Sequence, residues 1–344
     1  MKLTIQHIKQ EIFDTKTFFL LAKNSVSYKS GQFLTLIFHQ QQTEIRRSYS
    51  LGSTPFVDEN LFITIKRKVN GEISRRLFDH AHIGDILISL EPAGKFIIEE
   101  PVSKIYCFIA AGSGITPCFA LIKELLFFHQ QTKIILINQC RSEEEIIYKH
   151  ELHQLKHVFF ERFELIELFS QPKFYPNISK RLNNEMLEEI VLQTDLRNQT
   201  SNISFYLCGP TSFMRMAQFT LKRIGFKNEQ IRKEIFVVDK PPLPPFFTDT
   251  SLKKLTIYFQ KNMHQIEVAY PQTILNAALQ KNIQLPYSCK AGKCSACMAL
   301  CISGKIKMSN NEVLTEKDLE KGFVLTCVGY AETDVVLNFD EKDV

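Results

Sequence analysis

Four cysteines carry the strongest chemical signal in this chain. Cys289, Cys294 and Cys297 share one loop, and Cys327 follows inside Leu325-Thr326-Cys327. Four residues separate the first two thiols, two the next pair and twenty-nine the last. This is the C-x4-C-x2-C…C spacing that holds a [2Fe-2S] cluster through four thiolates. The small residues Ala291, Gly292, Ser295 and Ala296 let backbone N–H groups approach the sulfides without side chains intervening. Zinc is the alternative reading of such a set, but structural zinc sites pair two short knuckles across a spacer, whereas three of these thiols share one loop.

Other segments suit a ligand that carries phosphate and a flat ring. In Arg46-Arg47-Ser48-Tyr49-Ser50-Leu51 a strand would project Arg47 and Tyr49 to one side. The guanidinium matches phosphate by paired donors, and the phenol supplies a ring face with a polar tip. A solvated edge strand fits the same pattern. Gly71-Glu72-Ile73-Ser74 follows a strand and opens a helix expected to run through His82, so Gly71 and Ser74 sit where free N–H groups and a positive dipole end attract pyrophosphate. Ser74 also suits a plain N-cap.

Lys104–Ala110 is an apolar run that ends in Ala111-Gly112-Ser113-Gly114-Ile115-Thr116-Pro117, before helical periodicity over Cys118–His129. Strand, glycine turn and helix start suit a nucleotide phosphate, with Pro117 expected at the first helical position after Thr116. The third glycine of G-x-G-x-x-G is missing, so an ordinary dinucleotide fingerprint is not implied. Two more strands, Ile203–Leu207 and Lys133–Gln139, lead into Cys208-Gly209-Pro210 and Arg141-Ser142. Arg141 and Ser142 could grip a 2′-phosphate, although Ser142 with Glu145 also matches a capping box. His150, His153 and His157 lie among Lys149, Glu151 and Lys156, a solvated helix face rather than a metal site.

The scaffold for these groups divides into three parts. Residues 1–101 read as short strands punctuated by turn signals, the pattern of a β-barrel. Residues 102–238 alternate strands and helices, as a parallel sheet requires, and ligands of such a sheet gather beyond the carboxyl ends of its strands. Residues 239–252 contain Pro241, Pro242, Pro244 and Pro245 and read as a stiff linker. Residues 253–344 hold a hairpin, a short helix, the cysteine loop and two further strands, with 11 Lys, no Arg and 10 Asp or Glu.

At 344 residues a chain of ordinary apolar content accommodates two or three domains. No run suits a membrane span and Met1–Phe13 lacks the apolar core of a signal peptide, so a soluble cytoplasmic protein is expected. A formal charge of +5 without a long basic block does not indicate nucleic acid. Cys107, Cys118, Cys140, Cys208 and Cys301 sit in mostly apolar segments and read as buried free thiols.

Jointly these motifs resemble the ferredoxin–NADP reductase-like flavoproteins with a ferredoxin domain fused at the C-terminus. The likeness is closest to the reductase components of multicomponent oxygenases, especially the phenylacetyl-CoA epoxidase reductase type. It implies a multidomain fold: an antiparallel β-barrel flavin domain, an α/β parallel-sheet nucleotide domain and an α+β ferredoxin domain of β-grasp type. It further implies FAD, with Arg47 and the Gly71 to Ser74 segment at the pyrophosphate, Tyr49 beside the isoalloxazine and Ser50 near its reactive nitrogen.

By the same resemblance Gly112, Gly114 and Thr116 form the pyridine-nucleotide loop, and Cys208-Gly209-Pro210 places Cys208 beside the hydride-transfer position. Glu234 and Phe236 would line the flavin. Ser295 stands where many members have Gly, and Lys290 and Lys293 make the cluster loop unusually basic. The implied activity takes hydride from NAD(P)H to FAD and passes single electrons through the [2Fe-2S] cluster to an oxygenase. A reductase of a hybrid-cluster protein is the alternative acceptor reading, and a non-enzymatic redox sensor would need a broken motif. The donor stays open: Arg141 and Ser142 favour a 2′-phosphate, whereas Glu143, Glu144 and Glu145 repel one unless they point away.

Overall fold

The computed structural model describes all residues except 41–42, 100–103, 175–179, 195, 197–201, 237–241, 248 and 342–344. The expected boundary at 101/102 and the first residues of the expected linker, 239–241, lie outside the described residues. The chain forms two compact units, Met1–Phe236 and Val237–Val344. No helix among the described residues is long and apolar enough to cross a membrane.

The first unit begins with β1 (Lys2–Ile12), β2 (Thr15–Ala22), β3 (Phe33–Gln40), β4 (Thr43–Ser50), β5 (Leu61–Lys66), α1 (Glu72–His80) and β6 (Ile86–Ser89). The strands make one antiparallel sheet in the order β4-β3-β6-β1-β2-β5. Alternate residues such as Leu3, Ile5, Phe18, Leu20, Leu34, Leu36, Ile63 and Ile65 fill its interior. A single bridge between Leu51 and Ile63, with Gly52 N donating to Phe62 O at 3.0 Å, joins the two edges and closes the barrel. Helix α1 buries Ile73, Ser74 and Leu77 and ends two residues before His82, where Ala81 turns extended.

A parallel sheet follows: β7 (Ile105–Ala111), α2 (Ile115–Phe128), β8 (Lys133–Cys140), α3 (Lys149–Val158), β9 (Phe163–Phe169), α4 (Asn184–Gln193), β10 (Ile203–Cys208), α5 (Thr211–Arg223) and β11 (Ile231–Glu234). All seven residues of β7 are buried, as expected for a central strand covered on both faces. Leu121, Leu125 and Leu152 of α2 and α3 pack on one face, and Leu187, Met214 and Leu221 of α4 and α5 on the other. The order β11-β10-β7-β8-β9 reverses between β7 and β10. The carboxyl ends of those two strands therefore flank a topological switch point, where open α/β sheets bind ligands.

The second unit contains β12 (Lys253–Phe259), β13 (Asn262–Val268), α6 (Ile274–Gln280), β14 (Met298–Ser303), β15 (Ile306–Met308), α7 (Glu316–Glu320), β16 (Phe323–Leu325), β17 (Gly329–Ala331) and β18 (Val335–Asn338). Its main sheet runs β13-β12-β18-β14-β16, and α6 packs Leu275 and Ala278 into the core against it. Thr273 caps α6 by accepting from Asn276 N, and Thr315 with Asp318 forms a capping box on α7. Cys107, Cys118, Cys140 and Cys208 are buried as expected; Cys301 is half-buried instead, because its end of β14 runs out of the core toward exposed Ile302 and Ser303.

Candidate functional site

Strand pairing explains the long gap before the fourth cysteine. Met298 of β14 pairs with Leu325 of β16 in an antiparallel register, so Cys297, just before one strand, and Cys327, just after the other, arrive at the same end. Thr326 fastens them: its N–H and its hydroxyl both donate to Cys297 O, at 3.2 and 2.9 Å. Within the loop, Ala291 N and Lys293 N donate to Cys289 Sγ at 3.4 Å, and Cys289 N to Cys294 Sγ at 3.5 Å. Asn310 Nδ2 holds the loop from outside by donating to Ala291 O at 2.8 Å.

The loop backbone turns left-handed at Lys290, Gly292 and Ser295. A Cβ on Gly292 would lie 2.7 Å from Asn310 O, so only glycine fits there. Ser295 adopts φ 54, a conformation glycine takes without strain, which fits the expectation of Gly at this position. Its hydroxyl is buried without a partner. Hydrogen bonds from Cys294 and Cys327 lower the Cys289 thiol, and one from Cys327 lowers Cys297, while the same contacts raise Cys294 and Cys327, as expected for four thiols sharing protons at close range. Four converging thiols, N–H groups aimed at sulfur and an unpaired buried hydroxyl fit a [2Fe-2S] cluster. Lys293 is paired with Glu312 at 3.3 Å, and Lys290 lies over the Tyr287 ring.

The second site lies where the barrel meets the parallel sheet of the first unit. Arg47 and Tyr49 of β4 share a side, opposite Leu36 and Leu34 of β3. Burial pushes the Tyr49 hydroxyl up to about 12, opposed by the nearby Arg47 charge. Arg47 is exposed, and its Nη1 donates to Arg46 O at 2.8 Å. A guanidinium carries five N–H donors, so this bond leaves others to offer an anion. Ser74 is not the N-cap; Gly71 holds that position, and Ser74 Oγ donates back to Gly71 O at 3.1 Å while accepting from Lys68 N at 3.2 Å.

At the switch point, register aligns Ala110, Cys208 and Glu234 across β7, β10 and β11. Ser50 Oγ, at the end of β4, donates to Glu234 Oε2 at 3.0 Å. Glu234 as a residue keeps some exposure, but its carboxyl is enclosed, and burial pushes its pKa up to about 8 against the opposing pull of Ser50. Burial also holds the Cys208 thiol well above its ordinary range, with the Glu234 charge adding to it. Phe236 is exposed two residues beyond.

The glycine loop is a cradle. Gly112 turns left-handed with nothing within 4 Å of where a Cβ would stand, whereas a Cβ on Gly114 would lie 2.1 Å from Cys208 O. Gly209 packs against Ala111 and Phe213, and Pro210 precedes α5 as its cap. Helix α2 starts at Ile115 after a short 3-10 turn, so Pro117 occupies the third helical position, not the first; there too the missing N–H has no intrahelical partner. Thr116 Oγ1 is buried without a hydrogen-bond partner. An orphaned hydroxyl beside an open glycine turn fits a nucleotide.

Arg141 and Ser142 follow β8 at the same end of the sheet. Ser142 makes no side-chain cap, so the expected capping box is absent and only a short 3-10 turn forms. Two of the three carboxylates are held by Lys173, Glu143 accepting from its N–H at 2.9 Å and Glu144 pairing with its Nζ, whereas Glu145 lies 3.8 Å from Arg141 itself. Among the described residues no three His, Cys, Asp or Glu side chains are placed to hold a single metal ion, and His153 instead lies 3.2 Å from Glu167. The Ser50–Glu234 contact and the Asn310 brace were not foreseeable from sequence, since the chain carries no local signal for either.

Comparison with known proteins finds three domain matches along the chain. Residues 2–98 match an oxidoreductase FAD-binding domain, 108–218 an oxidoreductase NAD-binding domain and 257–332 a 2Fe-2S iron-sulfur cluster binding domain. The chain is 29% identical over 350 residues to one of the subunits of 1,2-phenylacetyl-CoA epoxidase of Escherichia coli, covering 99% of this chain and 98% of that one. It is 27% identical to the ferredoxin reductase component of 3-ketosteroid-9-alpha-monooxygenase of Rhodococcus rhodochrous, covering 96% and 94%.

Among solved structures, phthalate dioxygenase reductase superposes with a TM-score of 0.59 at 19% identity, covering 98% of both chains. An intact type IV self-sufficient cytochrome P450 monooxygenase gives 0.74 at 18% identity over 98% of this chain, which spans 40% of that longer one. With all three domain matches in the same order as the barrel, the parallel sheet and the cysteine-bearing sheet, the chain is an oxidoreductase built of an FAD-binding, an NAD-binding and a C-terminal 2Fe-2S cluster binding domain, similar throughout to reductase components of oxygenases.

Proposed function

We propose that this oxidoreductase is the reductase component of an oxygenase system, accepting hydride from NAD(P)H and delivering single electrons to a separate oxygenase. Bound FAD and the cluster supply the conversion between two-electron and one-electron transfer. The observation that carries the reading is the meeting of Ser50, Glu234 and Cys208 at the switch point, directly beside the Gly112–Thr116 cradle. The names of the relatives in ketosteroid and phenylacetyl-CoA oxygenation support an oxygenase as acceptor.

In this proposal Arg47 and the α1 N-terminus at Gly71 and Ser74 hold the pyrophosphate, and Tyr49 packs along the ring system. Glu234, protonated at neutral pH, and Ser50 hold a proton beside the flavin's reactive nitrogen. Thr116 and Cys208 seat the nicotinamide, Gly209 and Pro210 shape its floor, and Phe236 shields the flavin. Arg141 and Ser142 receive a 2′-phosphate, favouring NADPH: Lys173 engages Glu143 and Glu144, and the phosphate displaces Glu145, 3.8 Å away, from the Arg141 guanidinium. Cys289, Cys294, Cys297 and Cys327 ligate the cluster. Functional segments are assigned as 1–101 for flavin, 102–238 for nucleotide, 239–252 as linker and 253–344 for the cluster, in a cytoplasmic protein whose thiols stay reduced.

Anaerobic reduction by NADPH and, separately, NADH, followed by optical and electron paramagnetic resonance spectra, tests the route. Flavin bleaching together with a reduced [2Fe-2S] signal is expected, faster with NADPH. Reduction of the cluster by dithionite but by neither nucleotide would refute it. Turnover with a purified oxygenase component, set against a hybrid-cluster protein, decides the acceptor.

A further inference from the structure

A cavity of about 300 Å³ opens on the outer face of the barrel, between β1, β2 and β5 on one side and α2 and α3 on the other. Its walls are aromatic: Phe19, Phe62, Phe119, Phe127, Tyr148 and Phe159. None of the residues assigned above to flavin, nucleotide or cluster lines it. The volume sits at the lower end of the range for small-molecule sites, and the mixture of apolar wall with a few charged groups is typical of them.

The charges on the wall do not balance, since Lys9 and Lys123 face Glu11, Asp58 and Glu151. Both ammonium groups are committed. Lys9 Nζ donates to Glu151 Oε1 and lies 3.2 Å from Glu11 Oε2. Lys123 Nζ donates to Asp58 Oδ2 and stands over the Phe119 and Phe62 rings at 4.4 and 4.9 Å. Glu11 Oε1 accepts from Thr17 at 2.8 Å. Glu151 Oε2, by contrast, is buried and accepts nothing. An entering anion would add to a negative wall whose ammonium groups are already paired. A cation on an apolar body meets one carboxylate more than the two ammonium groups neutralise, in a wall otherwise built of rings.

We propose that this cavity binds a small organic amine, its ammonium on the acidic side of the wall at Asp58 and Glu151 and its apolar body against the phenylalanine rings. The site also touches the redox centre through Tyr148. That ring lines the cavity and stacks on Phe119 with centroids 4.5 Å apart, while its hydroxyl hydrogen-bonds Thr64 Oγ1. Burial raises the hydroxyl's pKa; Thr64 and then Thr116 oppose it, the latter close by but outside hydrogen-bonding geometry. Gly52, two residues past Ser50, cannot carry a Cβ because the Phe62 ring and the Tyr148 hydroxyl would stand 2.4 and 2.8 Å away. An amine against Tyr148 therefore presses on the residue that supports both the flavin strand and the nucleotide loop.

Isothermal titration of the full-length, cofactor-loaded protein with phenethylamine tests the site, using 3-phenylpropanol and 3-phenylpropionate as neutral and anionic counterparts. The amine is expected to bind at least about tenfold more tightly than the alcohol, and Glu151→Gln to weaken it by about the same factor. Gln154→Trp, on the exposed rim, should block entry with the melting temperature preserved. Equal binding of amine and alcohol, tighter binding of the anion, unchanged affinity in both variants, or no amine binding to the folded protein overturns the proposal. A shift in the nucleotide KM on adding the amine supports the link through Tyr148, and an unchanged KM removes that link.

Discussion

The cluster loop and the flavin–nucleotide cleft solve the same problem, holding a redox group rigidly, in opposite ways. Three of the four cysteines and their N–H donors come from nine consecutive residues, and one strand pair, Met298 with Leu325, brings the fourth. The cleft assembles from distant pieces: Ser50 and Glu234 are 184 residues apart and meet only because the barrel docks on the carboxyl ends of β10 and β11. A locally built site depends on the identity of single side chains. A site built by topology depends on backbone clearance and on the surrounding dielectric.

The sharpest separation of the two comes from Cys297→Ala. Electron delivery to a protein acceptor should fall more than about 100-fold, because the loss of a ligand exceeds the effect of losing its supports. Stopped-flow flavin reduction by NADPH should stay at the parent rate, so a parallel loss of flavin reduction would erase the distinction.

Gly114→Ala attacks the cleft in the complementary sense. Its methyl would stand 2.1 Å from Cys208 O, and forcing β7 and β10 apart costs at least about 1–3 kcal/mol. A lowered melting temperature and raised nucleotide KM are expected, with the cluster's optical spectrum intact.

Dielectric dependence is exposed by pH. Glu234 has a pKa of about 8 in the fold against 4.5 for a free side chain, so the fold binds its proton while the unfolded chain has lost it. The stabilisation is fully present below the unfolded value and disappears as pH rises through about 8, a change on the order of a few kcal/mol. Melting temperature should therefore decline from mildly acidic to alkaline pH, and Glu234→Gln, which cannot ionise, should flatten the decline. An unaltered profile would mean that the carboxyl is solvated.

Asn310→Ala is the mildest change. It removes one bond to Ala291 O, worth about 1 kcal/mol. Faster bleaching of the cluster under a chelator, with flavin reduction untouched, would show that the local site also relies on one remote brace.

The same contrast explains what the sequence disclosed. Cysteine spacing, the strand–glycine–helix order at Gly112 and the apolar run of β7 depend on neighbours along the chain, and all were legible. Helix starts were less so: Pro117 and Ser74 each moved to the third position, since several first-turn residues satisfy the same steric rules. The Ser142 capping box did not form, and Glu145 lies 3.8 Å from Arg141 instead. Contacts such as Ser50 with Glu234, or Asn310 with Ala291, arise from tertiary placement and leave no periodicity to read. Ser295 could be singled out beforehand only as a departure; its φ of 54 gives that departure a physical meaning.

The closure of the barrel has a kinetic corollary. Neighbouring strands elsewhere in that sheet share ladders of two to eight residue pairs, yet β4 and β5 are stitched by Leu51 with Ile63 alone. That stitch lies next to Ser50, at the end of the strand proposed to carry the flavin. A closed wall with one thin hem is weakest at the hem, so where this barrel opens first is expected to be at Leu51 and Gly52.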